Sequence, residues 1–377
     1  MDNILLSAAL AFMITFFAIP VIIQVAKNKN LFDEPDERKV HKAVIPTLGG
    51  LGIFAGFIIA LLMGTPPGPA TPLQYVVAAC VVIFFLGMKD DIMIISASKK
   101  FIGQLIAAGI LIKFGNIHIT NMHGFLGFYE IPHVAGVILS VFTIIVITNS
   151  FNLIDGIDGL AGSLGFLTSI VFGVYFYYID ELGYAVMAFA LSGSLISFLI
   201  YNFSPAKIFM GDTGSLLVGL INSVLVISFI NTAGTPTHSF PLEASPAIGF
   251  AILMLPLFDT LRVFGLRILD RRSPFSPDRN HIHHFLLDLG LSHRQITLSC
   301  VGVNVMFILL AFLLRHLGTT TVIFILLAVG TAITSLIFYM RTRAKNVYVK
   351  SASVSADSEI RTAHKIIGFA PEPVEMD

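Results

Sequence analysis

The chain has 377 residues, of which 55% are hydrophobic and only 12% charged, and its mean hydropathy is +0.86. A soluble domain carries about 25% charged residues, so this composition excludes a water-soluble globular protein and implies a lipid bilayer as the solvent. The formal net charge is zero, which leaves no electrostatic footprint for nucleic acid, and the two cysteines, Cys80 and Cys300, lie in apolar runs, which excludes a disulfide framework or a cysteine-built zinc site.

A bilayer-crossing helix needs about 20 mostly apolar residues. In chain order the apolar runs cover 4–25, 48–63, 72–88, 101–114, 131–148, 160–178, 184–201, 215–230, 247–269, 297–314 and 319–340. They predict an all-α, polytopic integral membrane protein with about eleven transmembrane helices. A membrane-embedded domain then covers 1–340, and a polar cytoplasmic tail, expected to be disordered, covers 341–377. Asp2 precedes the first run, and Lys27 and Lys29 follow it. A secretory signal has the opposite charge order, so the run reads as a retained first span with its N-terminus outside.

Lys and Arg concentrate on the cytoplasmic side of membrane proteins. With the spans alternating, all of the 23 Lys and Arg residues except Lys113 and Arg315 fall on one side, together with the C-terminal tail. The opposite loops, such as 64–71 and 231–245, are rich in Pro and Gly and free of Lys and Arg. The C-terminus is therefore expected in the cytoplasm.

Five carboxylates fall at that cytoplasmic edge. Asp90 and Asp91 end the third span in GMKDD, Asp155 and Asp158 follow the fifth in NSFNLIDGIDGLAG, and Asp212 precedes the eighth in KIFMGDTGS. Acidic residues at membrane depth are costly and usually mark a site. Plainer roles compete: Asp212 suits a helix N-cap, and the Asp-Gly pairs suit turns. Asp90 and Asp91 are harder to explain away, because a helix C-terminus disfavours negative charge; Lys89 and Lys100 offer relief. Carboxylates without thiols suit Mg²⁺, which takes one or two protein carboxylates and completes its shell with water and phosphate oxygens.

The loop after the ninth span, RILDRRSPFSPDRNHIHHFLLDLGLSHRQ, places His281, His283 and His284 beside Arg271, Arg272 and Arg279. Histidine clusters bind transition metals, but neighbouring arginines favour phosphate recognition; a plain solvated loop is the third reading. Phe285, Leu286, Leu287 and Leu289 suggest an interfacial helix just downstream. The first cytoplasmic loop, FDEPDERKVHKAVIPTLGG, carries Lys42 and ends at Thr47 in a tight Gly-Gly entry to the second span. Positive charge there also serves topology alone.

These motifs together (residues 33–50, 89–91, 149–162, 202–215 and 273–284) resemble the polyprenyl-phosphate N-acetylhexosamine-1-phosphate transferases, glycosyltransferase family 4, and most closely their WecA/TagO-like branch. The likeness runs from the first span to about Met340. It implies an eleven-span fold in the bacterial inner membrane with a cytoplasmic site. It also implies transfer of an N-acetylhexosamine-1-phosphate, GlcNAc-1-phosphate favoured, from a UDP-sugar to undecaprenyl phosphate. The products are undecaprenyl-pyrophosphoryl-sugar and UMP, opening the synthesis of a wall polymer, a lipopolysaccharide O-antigen or another envelope polysaccharide.

By the same resemblance Mg²⁺ is the cofactor, with Mn²⁺ as a substitute and Asp212 as the principal ligand. Asp90 would deprotonate or orient the lipid phosphate, with Asp91 beside it. Asn152, Asp155, Asp158, Asn202 and Phe209 match positions around the nucleotide, Asp158 at the uracil and Phe209 stacked on the base. Lys42 and Thr47 match positions near the substrate, and Arg279, His281, His283 and His284 match groups that hold the pyrophosphate and sugar. A homodimer is compatible with the resemblance. The peptidoglycan branch, which transfers phospho-MurNAc-pentapeptide, is the alternative, although it typically has three consecutive histidines where Ile282 interrupts HIHH. A transporter is the alternative outside the family; it would place charges nearer the bilayer midplane.

Overall fold

The computed structural model describes residues 2–29, 45–65, 72–93, 95–234, 240–272 and 280–367, with side chains described as far as Ala344. Lys42 and Arg279 lie outside the described residues. In chain order the elements are α1 (Asp2–Lys29), α2 (Gly49–Gly64), α3 (Leu73–Ile92), α4 (Ala97–Lys113), β1 (Asn121–Phe125), β2 (Phe128–Glu130), α5 (His133–Ile154), α6 (Leu160–Tyr178), α7 (Leu182–Asn202) and α8 (Gly211–Ala233). The chain continues through α9 (Ser245–Ile252), α10 (Met254–Leu269), α11 (Ile282–Asp288), α12 (His293–Leu314) and α13 (Thr319–Ile367).

The architecture is the expected helical, multi-pass one. Among the described residues seven helices are long and apolar enough to cross a bilayer: α1, α5, α6, α7, α8, α12 and α13. The bent pair α9–α10 makes up to eight. α2 is apolar but only 16 residues long. With α3 and α4, it stands where the second to fourth spans were expected without being one of the seven. α13 continues unbroken to Ile367, past the point where the sequence suggests a separate tail.

α8 forms the axis. It is apolar on all sides, and such a helix is stable only when enclosed; its spanning window is 100% buried, against 22% in α1 and α13. α2, α3, α5 and α6 surround it. Two close approaches set its depth. A Cβ on Gly87 of α3 would lie 2.5 Å from Thr213 Cα, and a Cβ on Gly50 of α2 would overlap the backbone of Gly214. Only glycine allows these helix ends to meet.

The ninth expected span, 247–269, is not one helix. α9 and α10 meet at Leu253 with a bend of 85°. Pro256 lacks the N–H that would donate to the Ile252 carbonyl in a continuous helix. Asn304 of α12 fills the gap: its Nδ2 donates to Ile252 O at 2.9 Å, and its Oδ1 accepts from Leu255 N–H at 3.0 Å. Asn304 is fully buried. Broken helices persist at membrane depth only when the freed backbone groups find partners. Asn304→Ala strands both groups and is expected to cost about 2 kcal/mol or more, read as a lower Tm in detergent; an unchanged Tm would show that the break is satisfied by other groups.

One element is absent from the sequence reading. β1 and β2 form an antiparallel hairpin between α4 and α5, joined by Leu126 and Gly127, both at positive φ. Two-residue hairpin turns favour that conformation because it matches strand twist. Thr319 Oγ1 donates to His123 O at 2.6 Å, and Leu126 N–H donates to Thr320 Oγ1 at 2.7 Å, so the hairpin is tied to the start of α13.

Candidate active site

The carboxylates converge where α3, α4, α5 and α8 end. Asp90 and Asp91 occupy the last turn of α3, an unfavourable place for negative charge. Each finds its own relief. Lys100 Nζ, from the first turn of α4, lies 3.0 Å from Asp90 Oδ2, and Ile95 N–H donates to Asp90 Oδ1 at 2.9 Å. Asp91 reaches across to the start of α8. Its Oδ1 accepts from Asp212 N–H at 2.7 Å, and its Oδ2 accepts from Thr213 N–H at 3.0 Å and Thr213 Oγ1 at 2.5 Å. The positive end of α8 thus neutralises Asp91.

This arrangement removes the N-cap reading of Asp212. α8 takes its cap from Asp91, and the residue at its own N-cap position, Met210, contributes no side-chain bond. The Asp212 carboxylate is left for the site. Lys100 Nζ sits 2.5 Å from its Oδ2, and Asn152 Nδ2 donates to its Oδ1 at 2.5 Å. Asn152 also donates to Ser215 Oγ at 3.0 Å. A second polar pair lies one turn after Lys100 in α4 and one turn before Asn152 in α5: Asn149 Nδ2 donates to Gln104 Oε1 at 2.8 Å, pinning α4 to α5.

The loop before α8 is registered by backbone. Phe209 N–H donates to Pro46 O at 2.8 Å, and Gly49 and Gly50 N–H donate to Phe209 O and Met210 O, both at 2.9 Å. Thr47 therefore lies beside Gly211, and Phe209, half-buried, borders the same cluster.

Asp155 caps the C-terminus of α5. Among the described residues no hydrogen-bond donor meets its carboxylate. Burial first, then the charges of Asp212, Asp91 and Asp158, push its pKa well above the ordinary carboxylate range. Its side chain still keeps intermediate exposure, so it faces the cluster from the site's edge. A concentration of carboxylates that, among the described residues, meets Lys100 at Asp90 and Asp212 is an environment that a further cation would relieve. Among the described residues no three His, Cys, Asp or Glu side chains form a ready-made metal cage. That donor set fits Mg²⁺, which binds few protein carboxylates, and not a histidine- or thiolate-rich metal.

Two residues expected at the nucleotide face inward. Asp158 is 6% exposed; Ala206 N–H donates to its Oδ2 at 3.1 Å, and His293 Nδ1 lies 3.2 Å from its Oδ1. Asn202 is equally enclosed: Gly159 N–H donates to its Oδ1, and its Nδ2 donates to Ile208 O, both at 2.9 Å. In this geometry the two side chains bind the Asp-Gly turn to the loop that leads into α8.

The histidine loop joins from the other side. A Cβ on Gly156 would lie 3.1 Å from His283 Nε2, so the histidines abut the Asp-Gly turn. His283 and His284 have ring centroids 4.3 Å apart, and His283 stacks on His281. Burial first, then neighbouring His284, lowers the His283 pKa to about 3. At neutral pH His283 is therefore an uncharged hydrogen-bonding group. His281 Nδ1 lies 2.9 Å from Asp259 Oδ2. The apolar residues downstream form α11, with Phe285 buried against Phe338 of α13.

The reading from sequence omitted Asp259, His293 and the Gln104–Asn149 pair. Asp259 had a signal: it is the one acidic residue in 247–269, with Arg262 three positions on, and a lone acid in an apolar run is a candidate site residue.

Known proteins align with this arrangement. Residues 73–230 match the family described as glycosyl transferase family 4. That stretch runs from α3 into α8 and contains Asp90, Asp91, Lys100, Asn152, Asp155, Asp158, Asn202, Phe209 and Asp212. A probable undecaprenyl-phosphate N-acetylglucosaminyl 1-phosphate transferase of Bacillus subtilis (strain 168) is 31% identical over 325 residues, covering 84% of this chain and 87% of that protein. A decaprenyl-phosphate N-acetylglucosaminephosphotransferase of Mycobacterium tuberculosis (strain ATCC 25618 / H37Rv) is 32% identical over 314 residues, 76% of each chain. An undecaprenyl-phosphate alpha-N-acetylglucosaminyl 1-phosphate transferase of Escherichia coli O157:H7 is 30% identical over 277 residues, 72% of this chain and 73% of that protein. With the carboxylate cluster inside the matched stretch and this identity spread over most of both chains, the chain belongs to glycosyl transferase family 4.

Proposed function

We propose that the protein transfers GlcNAc-1-phosphate from UDP-GlcNAc to undecaprenyl phosphate, releasing UMP. The observation that carries this reading is the junction of Asp90, Asp91 and Asp212 around Lys100 and Asn152 at helix ends, where a lipid phosphate and a soluble nucleotide can meet. The names of the relatives favour GlcNAc as the sugar and give the peptidoglycan reading no support. Charges gathered at helix ends speak against transport through the midplane.

An oxygen of the polyprenyl phosphate attacks the β-phosphorus of the donor; the bond to the UMP oxygen breaks, and its electron pair leaves with UMP. The acceptor, a phosphate monoester with a second pKa of about 6, is already largely ionised near neutral pH. Asp90 has Ile95 N–H on one oxygen and Lys100 on the other. It is therefore better suited to holding Lys100 toward the phosphates than to accepting a proton. Lys100 meets negative phosphoryl oxygens, and neutral His283, with His284 beside it, offers hydrogen bonds to the donor. Asp212, with Asp155 nearby, would hold Mg²⁺, which would supply charge neutralisation at the phosphoryl oxygens. In this reading the site faces the cytoplasm from the bacterial inner membrane, and the gathering of Lys and Arg in the loops that carry it supports that side.

Purified protein in detergent is expected to release UMP from UDP-GlcNAc only with polyprenyl phosphate and Mg²⁺ both present, and EDTA should stop it. UMP release that persists in EDTA would refute the metal requirement; release without the lipid phosphate would refute the acceptor.

A further inference from the structure

α11, which carries His283 and His284, has little of its own to hold it in place. It is seven residues long, well below the length at which an isolated helix is stable. A cavity of about 90 Å³ lies beneath it, lined by Ile282 and Leu286 together with Phe258, Phe307, Gly330 and Ile337. Packing on this side is therefore incomplete, although Ile282 and Phe285 are buried.

Polar clamps act at both ends instead. At the start, Asp259 Oδ1 accepts from Ile282 N–H at 3.1 Å and its Oδ2 meets His281 Nδ1. Arg262 joins Asp259 Oδ1 at 2.8 Å and donates to Asn280 O. At the end, Arg341 of α13 closes two nitrogens on one oxygen of Asp288: Nε lies 2.7 Å and Nη2 2.5 Å from Oδ2. Between them the Phe285 ring lies close to both guanidiniums, with Arg341 Cζ 4.4 Å and Arg262 Cζ 5.4 Å from its centroid. A planar guanidinium that places two nitrogens on one oxygen while its face lies over a ring restricts direction as well as distance.

We propose that Arg341 and Asp288 are positioning residues for the donor: the fork and the stack from α13 hold α11 so that His283 and His284 face the Asp-Gly turn at Gly156. This rests on the reading that those histidines bind the UDP-sugar. It also makes α13, whose helix continues to Ile367, a lever on donor affinity.

The test is steady-state kinetics of Arg341→Ala, Arg341→Lys, Asp288→Asn and the double variant Arg341→Ala/Asp288→Asn, varying UDP-GlcNAc at saturating polyprenyl phosphate. Loss of the clamp should raise the KM for UDP-GlcNAc about tenfold in Arg341→Ala while kcat changes far less. Lysine should restore only part of this, because it lacks the fork and the stack. The double variant should be no worse than Arg341→Ala, since the two residues act as one unit. An unchanged KM overturns the proposal, whether kcat stays constant or falls together with Tm. Wild-type protein run alongside separates the two levels: no UMP release from it overturns the functional reading, whereas an active wild type with an unaltered Arg341→Ala overturns the clamp alone.

Discussion

Asp212→Asn is expected to lower UMP release by about 10³-fold or more while leaving the Tm near that of the wild type. Asparagine keeps the shape and can still meet Asn152, but it removes the charge that Lys100 Nζ faces at 2.5 Å and the charge a divalent cation would need. Losing one preorganised electrostatic contact in a water-poor site already costs about 10²–10³-fold. The fold should survive because Asp91 caps α8 through its three bonds to Asp212 N–H, Thr213 N–H and Thr213 Oγ1. Turnover and thermal unfolding measured on the same preparation decide the matter. Near-normal turnover would remove Asp212 from the chemistry; a collapsed Tm would return it to a capping role.

Gly211→Ala is expected to be nearly as damaging to turnover, for a purely geometric reason. Gly211 has φ +69, which alanine adopts only under strain. Its new methyl would overlap the Thr47 carbonyl oxygen and lie 2.7 and 2.8 Å from the two Asp91 carboxylate oxygens. The start of α8 must then shift, and Asp212 shifts with it. A misplacement of about 1 Å at a reacting centre can cost about 10²-fold. The expected readout is a fall in kcat of that order with a lower Tm; full activity would mean that the α8 entry can move without carrying Asp212 along.

The motif order and the depth of the carboxylates were legible in the sequence because both depend on residue type and hydropathy. Asp90, Asp91, Asn152, Asp155 and Asp212 do come together at the ends of α3, α5 and α8. What each oxygen does was not legible. Asp91 caps a helix that begins 120 residues later, and no local pattern reveals so distant a partner. Asp158 and Asn202 share the motif's polarity with Asn152, yet they turn inward to satisfy backbone groups of adjoining loops. The break at Leu253 depends on Pro256 and on Asn304, 49 residues beyond Leu255. Pro256 marks the place in sequence, but without its partner the apolar run reads as one span. The hairpin at 121–130 was hidden for a related reason: its apolar residues blend into the flanking spans, and only Leu126 and Gly127 mark the turn.

The seam between Pro46–Gly50 and Phe209–Met210 consists of main-chain amides and carbonyls. Such bonds are indifferent to side-chain identity, so the anchoring of this corner is separable from its chemical character. Side chains 47 and 209 can change without breaking these bonds, while the aspartate three positions after Phe209 keeps its place; on the proposed reading, the surface offered to a base or a sugar changes with them. A scaffold of this kind lets donor preference diversify without rebuilding the phosphoryl-transfer centre.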